Sequence, residues 1–144
     1  MNDMDFSNMI IIQQWYCSIS SRRSAKTVWE LRGSMDIKHF YVEAGKGDPI
    51  ILLHGNGENC DYFKGQIDEF AKYYHVYAID TRGHGKTPRG DKPFTIRQFA
   101  ADLLCFMNDH QIEKTNLLGF SDGGNISMIF AIQHPERVNR LMYS

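Results

Sequence analysis

A chain of 144 residues with a formal net charge of −1 is long enough for one domain with a sizeable core. Its scattered Lys and Arg leave no basic stripe to select nucleic acid or an acidic membrane. Three cysteines, Cys17, Cys60 and Cys105, are an odd number without a Cys-x-x-Cys pair, which excludes a disulfide framework and a zinc ribbon. No apolar run nears the ~20 residues a bilayer helix needs. The short run Met9 to Ile12 follows Asp3 and Asp5 rather than basic residues, unlike a secretory signal. A cytoplasmic protein acting on a small molecule is the expectation.

In chain order, residues 1–34 fit neither a helical nor an alternating template and are read as an N-terminal extension, either upstream sequence or a disordered arm. The domain is expected over 35–144. Met35 to Ala44 alternates like a half-exposed strand. The turn Gly45 to Pro49 leads into Ile50 to Leu53, a continuous apolar run that suits a strand buried on both faces of a parallel sheet. Phe63, Ile67, Phe70 and Tyr74 recur at helical intervals and predict a helix over Asp61 to Tyr74. Val76 to Ile79 is the next strand. Thr95-x-x-Gln98 is a capping box that opens a helix running to Asp109, striped by Ile96, Phe99, Ala100, Leu103, Leu104 and Met107. Leu117-Leu118 is a strand that runs into Gly-Phe-Ser-Asp-Gly. A further apolar helix follows and is stopped by Pro135. Arg137 to Ser144 begins one more strand. This order predicts an α/β fold: a three-layer αβα arrangement around a doubly wound, mostly parallel sheet.

In such sheets the chemistry gathers beyond the carboxyl ends of the strands. Three loops fall there: His54 to Gly57, Asp80 to Gly85 and the turn at Ser121. A serine hydroxyl attacks only when a base takes its proton and the backbone lifts it clear of its neighbours. A sharp strand-to-helix turn does the lifting, and Gly119 and Gly123, lacking Cβ, permit the close approach it needs. Two other readings compete. Gly55-Asn-Gly57 after a strand, with Asp80 ending the next, has the look of a dinucleotide-binding turn, although Cys60 stands where the third glycine should be. A non-catalytic binding protein on the same scaffold is the other. No two His, Asp or Glu residues show metal-ligand spacing on one predicted element, and neither a metal nor a cofactor is expected.

His-Gly-x-Gly at 54–57, Asp-x-Arg-Gly-His-Gly at 80–85, Gly-x-Ser-x-Gly at 119–123 and His-Pro-Glu-Arg-Val at 134–138 together resemble the N-terminal half of the α/β-hydrolase fold, over roughly residues 35–144. Gly-Phe-Ser-Asp-Gly-Gly is similar to the elbow of valacyclovir hydrolase-like esterases, and Asp-Thr-Arg-Gly-His-Gly to that of the oxoadipate enol-lactonases. The resemblance implies a serine hydrolase for a small ester or lactone. Ser121 would be the nucleophile, and the N–H groups of Asn56 and Asp122 would hold the oxyanion. Asp122 also opens a helix, where its carboxylate complements the dipole. His54 and His84 are read as structural residues of their loops, and His134 as a surface residue at a helix end. In the family the acid and then the histidine follow the serine, and the 23 residues after Ser121 supply neither. The C-terminal half is therefore expected to be missing, leaving a sheet edge through which the chain could self-associate.

Overall fold

The computed structural model describes residues 10–12 and 36–144. Six strands form one sheet: β1 (Ile10–Ile12), β2 (Tyr41–Ala44), β3 (Asp48–Leu53), β4 (Tyr74–Ile79), β5 (Thr115–Gly119) and β6 (Val138–Tyr143). Their spatial order is β1-β6-β5-β3-β4-β2. The four inner strands run parallel, and β2 and β1 pair antiparallel at the two edges.

The apolar run predicted for β3 is buried along its length, and its alternation feeds both faces. Ile51 and Leu53 enter a core shared with α2 (Ile96–Asp109) and α3 (Asp122–Gln133). Ile50 and Leu52 enter a second core, beneath the 3₁₀ turn Cys60–Phe63 and α1 (Lys64–Phe70). Helices on both faces make the three layers. Burial of each large aliphatic or aromatic side chain is worth about 1.5–3 kcal/mol, so the two cores fix where the strand ends lie.

Several boundaries differ from those expected. Only Tyr41–Ala44 of the segment opening at Met35 is strand. The helix expected over Asp61 to Tyr74 is a 3₁₀ turn followed by seven α-helical residues. Tyr74 instead begins β4, opposite Asp48. The apolar stripe is nevertheless used, because Phe63, Ile67, Phe70 and Tyr74 all pack on the second core.

Thr95 caps α2 as predicted, its Oγ1 accepting the Gln98 N–H at 3.2 Å. The reciprocal half of the box is diverted: Gln98 Nε2 donates to Asp102 Oδ1 at 2.9 Å. Helix α3 stops at Gln133 and Pro135 begins a short 3₁₀ turn. Within the segment read as an extension, Ile10–Ile12 joins the sheet as β1; its other residues lie outside those described. Among the described residues no helix is long and apolar enough to cross a membrane.

Candidate active site

Strand β3 lies between β4 and β5, so the connections leaving its neighbourhood diverge to opposite sides. That is the switch point where doubly wound sheets open a crevice. The loops after β3 and β5 face each other across it.

Ser121 sits in the turn between β5 and α3 with φ 52° and ψ −115°. It is a left-handed conformation that L residues rarely adopt, and one that costs on the order of 1–3 kcal/mol. The surroundings hold it there. Phe120 N–H donates to Leu53 O at 2.9 Å, and Ser121 N–H donates to Ser144 O at 2.9 Å. A Cβ on Gly119 would strike the Gly123 carbonyl, and one on Gly123 would strike the carbonyl of Leu53. Both glycines are therefore demanded by backbone packed on backbone. The serine side chain itself is exposed.

Helix α3 starts at Asp122, with Gly124 and Asn125 N–H groups both turned back to the Ser121 carbonyl at 2.9 and 3.2 Å. The Asp122 N–H makes no hydrogen bond among the described residues, and neither does that of Asn56. Across the crevice, the position a Cβ would take on Gly55 lies 3.3 Å from Ser121 Cβ and 3.2 Å from the Phe120 ring. The β3 loop thus lies against the serine. Phe120 in turn stacks on Tyr62, centroids 4.6 Å apart, giving the crevice an aromatic wall.

The β3 and β4 loops are tied together beneath this surface. His54 is buried, with Nδ1 2.7 Å from Gly55 O. Its Nε2 accepts the Thr81 N–H at 3.0 Å. Burial lowers the His54 pKa, with a smaller push from neighbouring His84. His84 Nδ1 lies 3.0 Å from both Thr81 Oγ1 and Arg82 O, and its ring stacks on Phe94. Its Nε2 is 3.5 Å from Asn56 Oδ1. Both histidines are structural in position, as expected. His134 reaches the surface only in part: its side chain is 26 % exposed, and its ring packs on Phe130.

Asp80 is buried and spent. Its Oδ1 accepts Cys60 N–H at 2.7 Å and its Oδ2 accepts Lys86 N–H at 2.8 Å. A carboxylate so placed cannot reach a ribose, which removes the central feature of the dinucleotide reading. Cys60 is sealed beneath it, its thiol pushed up to about 12 by burial and by Asp80.

One cluster had no counterpart in the sequence reading. Arg82 is fully buried and uses all five N–H donors: two on Asp102, two on Asp36 and one on Arg89 O, at 2.7–3.0 Å. Asp36 Oδ2 also accepts the N–H groups of Asp91 and Lys92. The Arg82 guanidinium holds the Asp36 carboxyl well below the usual carboxylate range. This network fixes the loop after β4 to α2 and to the strand approach at Asp36. The available signal was Asp102, a charge on the apolar face of α2 between Phe99 and Phe106.

A family model described as alpha/beta hydrolase fold matches residues 48–143. The 3-oxoadipate enol-lactonase 2 of Acinetobacter baylyi is 32 % identical over 111 residues, 76 % of this chain and 42 % of that protein. A marine microorganism esterase superposes with TM-score 0.70 at 34 % identity, covering 73 % of this chain and 40 % of its own. The enol-lactonase from Burkholderia xenovorans superposes with TM-score 0.68 at 28 % identity, covering 71 % and 41 %. The chain therefore spans less than half the length of each of these relatives.

Proposed function

The chain belongs to the α/β hydrolase fold family, and from that membership we propose that Ser121 is the nucleophile of a serine hydrolase acting on a small ester, lactone or related carbonyl compound. The observation that carries this reading is the backbone of Ser121, held at φ 52° with its side chain exposed at the start of α3. Ser121 Oγ adds to the carbonyl carbon as its proton passes to a base. The oxyanion that forms takes hydrogen bonds from the N–H groups of Asn56 and Asp122, and collapse expels the alcohol to leave an acyl-enzyme that water then cleaves. The α3 dipole adds positive potential where that charge develops. The esterase and enol-lactonases named above support the substrate class.

The base and its acid partner are proposed to lie outside residues 36–144. His54 is buried with both ring nitrogens engaged. His134 stands at the far end of α3, about 18 Å along the helix axis. His75 is the second residue of β4, at the opposite end of the strand from the crevice. Without a base, a serine of this kind loses on the order of a millionfold in turnover and keeps only the residual catalysis of the oxyanion donors and binding. These 144 residues alone would then be nearly inactive.

Prolonged incubation with a fluorophosphonate, followed by peptide mass spectrometry, tests the assignment. Adduct is expected at Ser121 above every other serine, and is lost in Ser121→Ala. Labelling of another serine with Ser121 unmodified, or equal labelling of buried Ser127, overturns it.

A further inference from the structure

The loop after β3 places its smallest residue where the crevice is tightest. One point, the place a Cβ would take on Gly55, is 3.3 Å from Ser121 Cβ, 3.2 Å from the Phe120 ring and 3.1 Å from Oε2 of Glu58. Glycine permits that approach, but it also leaves the two peptides that meet at Gly55 free to turn. Three hydrogen bonds remove the freedom. The Gly55 N–H donates to Glu58 Oε2 at 3.2 Å. The Gly55 carbonyl accepts the Glu58 N–H at 3.2 Å and lies 2.7 Å from His54 Nδ1. Residues 55–58 are thereby closed into a β-turn, with φ positive at Gly57 (75°) and not at Asn56, the mark of type II. In such a turn the first carbonyl points inward, and the N–H of the next residue, across the same planar peptide, points out. Here that outward N–H belongs to Asn56.

Glu58 reaches back three residues, as the glutamate of a capping box does. No helix begins there. Residues 56 and 57 form a turn, and the 3₁₀ segment that starts at Cys60 already has its cap in Asn59, whose Oδ1 accepts the Asp61 N–H at 2.8 Å. The Glu58 bond therefore serves the loop rather than a helix start. We propose, on the roles given above to Ser121 and Asn56, that Glu58 is a positioning residue for the oxyanion donor: its carboxylate holds the Gly55 N–H, its own N–H holds the Gly55 carbonyl, and the two together fix the direction of the Asn56 N–H. The side chain acts as an acceptor and not through its charge, because a carboxylate beside a forming oxyanion opposes it. That charge is felt nearby: burial raises the pKa of the Tyr62 phenol, and Glu58 adds to the rise.

Two measurements on the full chain test it, one on the amide and one on the serine. Residual dipolar couplings of the isotope-labelled chain report the direction of the Asn56 N–H, and the rate of fluorophosphonate labelling reports Ser121. Glu58→Gln keeps an acceptor oxygen and drops the charge, whereas Glu58→Met drops both and keeps the stem. In Glu58→Met the Asn56 coupling is expected to change while those of Ile50–Leu53 persist, and labelling slows about tenfold or more. Glu58→Gln keeps the parental coupling and labels at least as fast as the parent. An unchanged Asn56 coupling or an unchanged labelling rate in Glu58→Met overturns the proposal, as does a loss in Glu58→Gln as large as in Glu58→Met. Labelling of another serine in the parent, with Ser121 unmodified, overturns the reading of Ser121 itself and this proposal with it, an outcome that no Glu58 variant is needed to see. Where no serine of the parent is labelled, the couplings decide alone. If Glu58→Met does not fold, Glu58→Ala is judged by the same criteria.

Discussion

The Thr81 N–H donates to Nε2 of His54 across 3.0 Å, and this one bond fixes the state of the imidazole. A backbone amide can only donate, so Nε2 carries the lone pair and the proton of the neutral ring sits on Nδ1. Nδ1 then donates to Gly55 O, 2.7 Å away. The Gly55 carbonyl and the Asn56 N–H belong to one planar trans peptide and point in opposite directions. Anchoring the oxygen therefore aims the N–H. His54 is in this way a positioning residue for the proposed oxyanion donor. His54→Ala is expected to slow fluorophosphonate labelling of Ser121 by about 10²-fold, the scale of losing one such donor, while Ser121 exchange protection persists. Labelling at the parental rate would detach His54 from the site.

Strain at Ser121 gives a prediction of opposite sign for stability and chemistry. With φ at 52°, Ser121→Gly removes the Cβ penalty, and the relief outweighs glycine's greater chain entropy. A gain of about 1 kcal/mol is expected, a rise in Tm on the order of 3 °C, together with complete loss of labelling. A lower Tm in a thermal melt would mean that the serine side chain contributes more than its backbone costs.

Two glycine-to-alanine changes separate close packing from mere flexibility. Gly123→Ala drives a methyl into the Leu53 carbonyl; neither backbone can yield without moving α3 from β3, and a loss of about 2–3 kcal/mol is expected. Gly65→Ala lies on exposed α1 with nothing within 4 Å of the new methyl. There alanine favours the helix by roughly 0.5–1 kcal/mol. Urea unfolding of the two variants should shift the midpoint in opposite directions.

Arg82 and Asp102 should behave as a coupled pair. Arg82→Met leaves a buried carboxylate without its cation, which costs about 3–5 kcal/mol. Adding Asp102→Leu to that variant removes the more deeply buried of the two orphaned carboxylates, Asp36 keeping the N–H groups of Asp91 and Lys92, and recovers part of the loss. Arg82→Lys does not substitute, because an ammonium cannot bridge two carboxylates in the planar fork that Arg82 uses. Denaturant midpoints for the single and double variants test the coupling; strict additivity would refute it.

What the sequence disclosed was what local pattern encodes. The apolar run Ile50–Leu53 announced a strand buried on both faces, Thr95 announced the start of α2, and Gly119 with Gly123 announced a turn too tight for a methyl group. The errors arose where distant residues decide. Tyr74 continues a helical period, yet pairing with Asp48 draws it into β4. Asp36 and Arg82 meet across 46 positions of sequence, and no local period records such a meeting. β1 is three residues long, and nothing in its own pattern names β6 as the neighbour that makes it a strand. The placement of the three motif loops was legible because each follows a strand; the hydrogen bonds binding those loops together were not.

Stability is expected to fall as the medium is acidified below about pH 6.5, and the histidines say why. His39, His54 and His134 each have a lowered pKa, burial being the largest cause in all three. Below the ordinary histidine value near 6.5 the unfolded chain takes up protons that the folded chain refuses, so the folded state loses ground until the pH passes under the folded pKa values. Above about pH 6.5 the contribution is complete and flat. Asp36, held low by Arg82, acts in a separate window, below the ordinary carboxylate range near pH 4. His39 is the sharpest probe, because its Nδ1 is buried without a partner among the described residues and its ring stands edge-on to Phe106 at 5.8 Å. Urea midpoints measured from pH 8 to pH 5 should decline for the parent chain and decline less steeply for His39→Leu. A parallel decline in the two chains would show that His39 takes up its proton equally in both states.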